Sequence, residues 1–163
     1  MARVCAERMT ARLVGDEPDG GFVVFVLGMR VNRWWTVHRW LPVFLTMAPM
    51  LRQLLTHPEL GLLGMRTLVG SRGPTVVQYW RSSEHLLRFA RDASSPHLGA
   101  WRRFNRRIAS SGDVGVWHET YVVPPGGYEA VYVNMPRYGL AAAGEHLPVR
   151  ARGERAGDRL AAG

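Results

Sequence analysis

GVWHETYVV, residues 115–123, places one His-Glu pair inside a run of apolar, β-branched and aromatic residues. Such a run is typical of a β-strand, in which successive side chains point to opposite faces of the sheet. Because adjacent side chains alternate, His118 and Glu119 are expected on opposite faces of the strand. The first face also carries Val114, Val116 and Val122, and the second carries Trp117 and Tyr121. We therefore expect His118 to be largely buried on an apolar face.

A buried imidazole needs a partner, and the sequence leaves two kinds open. The partner is either a backbone carbonyl or tyrosine hydroxyl, which makes His118 a satisfied core histidine, or it is a substrate or metal. Since the chain has no paired histidines at zinc-ligand spacing and no Gly-x-Ser-x-Gly motif, neither a zinc protease site nor a serine hydrolase site is indicated.

The order of the elements around this strand predicts the fold. Apolar runs predict strands at 22–29, 61–69, 75–81, 113–123 and 128–134, and helical spacing predicts helices from about 37 or 42 to 56, from 83 to 90 and from 97 to 109. Strand–helix–strand–strand–helix–strand is the split βαβ pattern of ferredoxin-like α+β folds. Because the strands are apolar on both sides and the helices cover one face, a second copy is expected to cover the other, giving a homodimer.

The chain is divided by composition into three parts. Residues 1–20 read as an N-terminal extension that ends in a loop dense in Gly, Asp and Pro, and residues 21–138 form the folded domain. Residues 139–163 consist mainly of Ala, Gly and Arg, which offer little apolar surface to bury, so we expect a disordered tail.

Charge and composition exclude several functions. The formal charge is +8 and every basic residue is Arg, so no lysine can form a Schiff base or serve a P-loop. The densest basic group lies at helical spacing, as on a solvated helix face, so we expect no nucleic-acid partner, and an acidic small molecule is the stronger interpretation. That group is Arg102, Arg103, Arg106 and Arg107.

The remaining global features concern compartment and membrane. Cys5 is the only cysteine, which excludes an intrachain disulfide and suits a reducing cytoplasm. No signal peptide is visible, and the longest apolar stretch, residues 40–55, is interrupted by Pro42, Pro49 and Arg52. We therefore expect no membrane insertion.

Three segments carry a resemblance to a known family. The residues are VFVLGMRVN at 24–32, WLPVF at 40–44 and VWHETY at 116–121, and YWRS at 79–82 leads into the second predicted helix. Together they resemble the small family named after the monooxygenase of fumagillin biosynthesis, within the dimeric α+β-barrel superfamily. The resemblance covers roughly residues 20–140 and implies the ferredoxin-like fold and a dimer. Members of this superfamily include cofactor-free oxygenases, haem proteins, isomerases and binding modules.

A fainter resemblance is to the haem-containing aldoxime dehydratases. It rests on His118-Glu119, on Tyr128-Glu129 and on the positions of Pro136 and Gly139. It implies that His118 is the axial ligand of haem b. Met135 stands where that family has its catalytic histidine, so aldoxime dehydration itself is not expected.

The predicted site is an aromatic, apolar cleft between sheet and helices, with His118 as the catalytic residue. Its substrate-binding residues are expected to be Phe25, Phe44, Trp80, Trp117, Tyr121, Tyr132 and Asn134. Such a cleft suits a hydrophobic polyene, aromatic or polyketide-like molecule. Three functions follow in order of preference: an oxygenase needing no cofactor with His118 as base, a haem protein, and a non-catalytic dimeric binding module.

Overall fold

The computed structural model of the chain describes residues 7–16, 20–92 and 111–161. The helical segment predicted for residues 97–109, with its basic group, lies outside them. The elements, in chain order, are β1 (Met9–Arg12), β2 (Phe22–Val31), α1 (Val37–Thr56), β3 (Leu62–Gly70), β4 (Gly73–Trp80), α2 (Ser83–Arg91), β5 (Val114–Val123), α3 (Leu140–Ala143), β6 (Glu145–Pro148) and α4 (Ala156–Ala161), with short 3-10 helices at Pro58–Leu60 and Val149–Ala151.

β2 to β5 form one antiparallel sheet with the strand order β3-β4-β2-β5. The order is interleaved because α1 connects β2 to β3, which are separated by β4 in the sheet. The tight turn between β3 and β4 needs Gly73, whose φ is +142° and whose Cβ, if present, would lie 2.4 Å from the Met29 carbonyl oxygen. The predicted α+β class with ferredoxin-like topology is confirmed.

One face of the sheet packs on α1 and α2, and the odd-numbered residues of β2 point to it. Val23 contacts Trp80 of β4 within a cluster that takes Leu54 from α1 and both Leu86 and Phe89 from α2. At the other end of the strand, Met29, Val31, Val43 and Val114 form a second cluster. We call this the helix side of the sheet.

The opposite face, which we call the second face, is only partly covered. Phe22 and Tyr79 pack there against Ala11, Leu13, Leu140 and Ala141, which come from the N-terminal segment and α3. The rest of the face is open to solvent, with Leu68 at 41%, Trp117 at 40% and Tyr121 at 51% exposure.

A buried carboxylate holds the start of β5 to the start of α1. Asp113 is fully buried and accepts hydrogen bonds from Arg33 Nη1 at 3.0 Å and from Arg39 Nη1. Burial alone would raise the pKa of Asp113, but the hydrogen bonds from Arg39, Ser111 and Arg33 and the charge of Arg39 together hold the pKa below its ordinary value. Asp113 therefore has a structural role.

The fifth strand predicted at 128–134 is absent from the structure. Its only ladder contact among the described residues is a single bridge between Tyr132 and Met9. Asn134 adopts a left-handed φ of 54°, which a strand cannot contain. Tyr128 instead packs edge-on to Phe22, with ring centroids 5.1 Å apart. The apolar alternation of this segment reflects separate packing contacts rather than a ladder.

The expectation of a disordered tail over residues 139–163 differs from the structure. Residues 140–161 contain α3, β6 and α4, and β6 pairs with β1 in a two-stranded antiparallel sheet, so the extension at 1–20 also contributes a strand. Two buried arginines explain the order. Arg152 donates to the carbonyl oxygens of Ala11 at 2.7 Å and Arg159 at 3.2 Å, and Arg159 donates to Glu129. Counting apolar surface alone overlooked these guanidinium contacts.

Candidate functional site

His118 lies on the helix side of the sheet, at the point of β5 opposite Leu27 of β2. Its ring is 5.6 Å from the ring of Phe25, measured between centroids. The parity predicted from the sequence is therefore correct, but the expectation of burial is wrong, since the side chain is exposed. No described residue forms a hydrogen bond with either ring nitrogen. His118 is thus not a satisfied core histidine within this part of the chain.

The other aromatic residues predicted for the helix side occupy different environments. Trp80 is fully buried, packs 5.5 Å from Phe89 and donates from Nε1 to Gln78 Oε1 at 2.9 Å, so it belongs to the core. Phe44 lies on α1 and is 44% exposed. Phe25 is the one predicted substrate-binding residue whose contact with His118 the structure shows.

Two further predicted substrate-binding residues point away from His118. Trp117 lies over Gly28 on the second face, where a Cβ on the glycine would be 2.8 Å from the indole Nε1. Tyr121 is on the same face and donates a 2.5 Å hydrogen bond to Glu119, which raises the pKa of the phenol. Because neighbouring residues of a strand alternate in direction, Trp117 and His118 cannot line one cleft within one chain.

Tyr132 and Asn134 also lie away from His118. Tyr132 accepts a 3.4 Å hydrogen bond from the Ala141 backbone N–H, in the segment that covers the second face, and Asn134 is exposed. The structure therefore divides the predicted pocket between the two faces of the sheet. His118 and Phe25 remain together on the helix side.

The polar groups around the covered end of the second face were only partly foreseen. Tyr132 was among the predicted substrate-binding residues, but His146 falls in the segment that composition marks as a disordered tail. His146 lies on β6, with its ring edge-on to Tyr132 at 5.7 Å. The four residues EHLP at 145–148 show no alternation of polar and apolar side chains, and so short a segment cannot be assigned as a strand from the sequence.

The described residues contain neither a candidate metal centre nor a membrane-spanning helix. Over residues 7–16, 20–92 and 111–161, no three His, Cys, Asp or Glu side chains are grouped so that they could hold a metal ion. In the same part of the chain no helix is long and apolar enough to cross a membrane.

Comparison with known proteins identifies the relatives. The family model described as Monooxygenase af470-like matches residues 22–140. Monooxygenase af470 of Aspergillus fumigatus is 32% identical over 158 residues, an alignment that covers 82% of this chain and 53% of the relative. The chain thus spans about half the length of that curated relative. No solved structure matches the chain. The matched residues include the whole four-stranded sheet and both helices on its helix side.

Proposed function

This chain belongs to the Monooxygenase af470-like family, and from that premise we propose that it is a monooxygenase acting on a hydrophobic small molecule. The substrate is of polyketide, polyene or aromatic type, as made in secondary metabolism, and the reaction takes place in the cytoplasm, which the single cysteine suits. His118 is the catalytic base, and Phe25 contacts the substrate beside it.

The placement of His118 is the observation that carries the proposal. It is an exposed imidazole beside an aromatic ring, and neither of its nitrogens is engaged by a described residue. An imidazole can accept a proton at neutral pH, and a base must lie within hydrogen-bond reach of the proton that it removes. His118 meets the requirement of access, whereas a histidine bonded to a core carbonyl would not.

The reaction needs no cofactor when the substrate carries an acidic CH₂ group. His118 removes one proton, and the resulting carbanion reduces O₂ and forms a carbon–oxygen bond to give a hydroperoxide. Loss of the second C–H proton breaks the O–O bond, so that R₂CH₂ and O₂ become R₂C=O and H₂O. The substrate supplies all four electrons, and the protein supplies the base and the apolar surroundings.

A haem protein is the second candidate, and its residues fit only in part. The ring nitrogens of His118, which no described residue engages, would allow it to hold the iron of haem b. Met135, which stands where aldoxime dehydratases have their catalytic histidine, follows Tyr132 in the chain, and Tyr132 packs at the second face rather than on the helix side with His118. The two halves of that arrangement do not meet within one chain, so no step is assigned to haem.

We also propose that the chain is a homodimer that pairs through the open part of the second face. Trp117, Tyr121 and Leu68 expose apolar or aromatic surface there, next to the covered cluster. A second copy would bury this surface and leave the helix side of each sheet free for substrate.

Oxygen incorporation tests the proposed activity. Purified protein is incubated with anthrone, whose CH₂ group is acidic, under ¹⁸O₂, and the product is analysed by mass spectrometry alongside a reaction without protein. The proposal expects one ¹⁸O atom in the product at a rate well above the background, from protein that shows no Soret band. Binding of anthrone without turnover would support the non-catalytic module, and a stoichiometric Soret band would support the haem protein.

A further inference from the structure

Three polar side-chain atoms converge beside Gly139, on the covered end of the second face. The position that a Cβ on Gly139 would take is 3.5 Å from the Tyr79 hydroxyl, 3.6 Å from the Tyr132 hydroxyl and 3.7 Å from Arg66 Nη1. The three residues come from β4, from the segment after β5 and from β3. Gly139 has a φ of +57°, so the backbone favours glycine, and the glycine itself places no side chain between the three groups.

These groups have hydrogen-bonding capacity that the described residues do not use. Arg66 Nε is buried without a partner, and Arg66 pairs with no carboxylate in the described part of the chain. Its guanidinium lies 4.6 Å from the ring centroid of Tyr138 instead. The Tyr79 hydroxyl has no hydrogen bond to a described residue. The Tyr132 hydroxyl accepts from the backbone N–H groups of Ala141 and Leu140, and no described residue accepts its proton.

A neighbouring histidine adds a further unpartnered atom. His146 Nε2 is buried and has no hydrogen bond to the described residues. Burial first, and then the charge of Arg137, lowers the pKa of His146, which favours the neutral ring. Buried polar groups are normally paired, so several orphaned atoms at one place indicate that a partner belongs there.

The cluster is suited to a negatively charged oxygen. Burial raises the pKa of Tyr79 more than the nearby Arg66 lowers it, and burial likewise raises the pKa of Tyr132. Both phenols therefore stay protonated and can donate. A guanidinium and two hydroxyl donors, with no carboxylate of the described segments paired to them, match an acceptor-only group such as a carboxylate or an enolate.

The adjacent surface is apolar. Across the sheet, Arg66 is paired with Val77, Val77 lies beside Val26, and Val26 lies beside Glu119. Two valines therefore separate the cation of β3 from the acidic residue of β5 on this face. A ligand that places its charged oxygen at Arg66 has an apolar strip for the rest of the molecule.

We propose that Arg66, Tyr79 and Tyr132 bind the anionic oxygen of a small organic acid, whose apolar part lies over Val77 and Val26, between the sheet and the proposed second copy. The ligand's charged group is a carboxylate or an enolate. This site is on the opposite face of the sheet from His118, and the proposal does not depend on the monooxygenase activity.

Calorimetric titration of the full chain with three probes tests the site. The probes are 2-naphthoate, a carboxylate; dimedone, which ionises to an enolate; and 2-naphthalenemethanol, a neutral molecule of similar shape to the first. At least one anion should bind, and which of them binds identifies the charged group. Arg66→Gln and Tyr79→Phe should each weaken that binding by about tenfold or more, because each removes a donor to a charged acceptor.

Arg52→Gln is the matched control, since Arg52 is an exposed residue of α1 and the same charge is lost. It should leave the affinity unchanged. Tyr79→Phe should keep the melting temperature, because the hydroxyl that it removes has no partner in the described protein, so this variant remains informative if Arg66→Gln does not fold. The proposal is overturned if neither anion binds at low millimolar concentration, if the neutral alcohol binds as tightly, or if Tyr79→Phe binds like the wild type.

Discussion

Leu140→Ala should destabilise the protein strongly, although Leu140 lies in the segment that composition marks as a disordered tail. Leu140 is 8% exposed and packs in the same cluster as Ala11, Phe22 and Tyr79. Truncating a buried leucine to alanine removes its transfer free energy and leaves a cavity, which together cost about 2–5 kcal/mol. For a protein of this size each kcal/mol lowers the melting temperature by about 2–4 °C, so we expect a fall on the order of 10 °C.

Thermal unfolding followed by circular dichroism measures this effect, with Leu160→Ala as the control. Leu160 belongs to the same segment but is 42% exposed, so its truncation should change the free energy of unfolding by less than about 1 kcal/mol. If Leu140→Ala and Leu160→Ala melt together, within error of the wild type, then the tail does not pack on the sheet and the reasoning is refuted.

Further predictions concern the tail, the buried carboxylate and the open face. Arg152→Ala should cost about 2–3 kcal/mol in chemical denaturation, because it leaves buried carbonyl oxygens unpaired, whereas Arg150→Ala at an exposed position should be nearly neutral; equal effects would contradict this role. Folding lowers the pKa of Asp113, so the ionised carboxylate stabilises the protein above its unfolded pKa of about 3.9, and this stabilisation is lost as the pH falls through the folded pKa. On acidification the melting temperature of the wild type should therefore fall further than that of Asp113→Asn. Leu68→Glu should convert the proposed dimer to a monomer in light scattering, and a wild type that is already monomeric at micromolar concentration would exclude the dimer.

Hydrophobic patterning was sufficient to predict the central sheet. The apolar runs of β2 to β5 and the stripe of α2 follow periods that depend only on local geometry, and the parity of His118 and Glu119 was correct for the same reason. The tail was not predictable in this way. Arg152 donates to the carbonyl oxygen of Ala11 and Arg159 donates to the carboxylate of Glu129. Both partners are distant in sequence, and such contacts leave no periodic signal.

The candidate site was only partly predictable because its members belong to different faces. Strand alternation places Trp117 and Tyr121 on the face opposite His118. The prediction of a single aromatic cleft did not apply this rule to them. Burial of His118 was inferred from its apolar neighbours Val116 and Val122. Val122 is itself 59% exposed, so an apolar strand face does not guarantee a covering layer.

Replacement of His118 by Ala tests the central claim most directly, with His57→Ala as the matched control because His57 is also exposed but lies at the end of α1. Melting temperature and ¹⁸O incorporation into anthrone are measured on the same preparations. The proposed function predicts that His118→Ala loses turnover while its melting temperature stays close to that of the wild type, and that His57→Ala keeps both. A large fall in the melting temperature of His118→Ala with turnover intact in the folded fraction would contradict the claim.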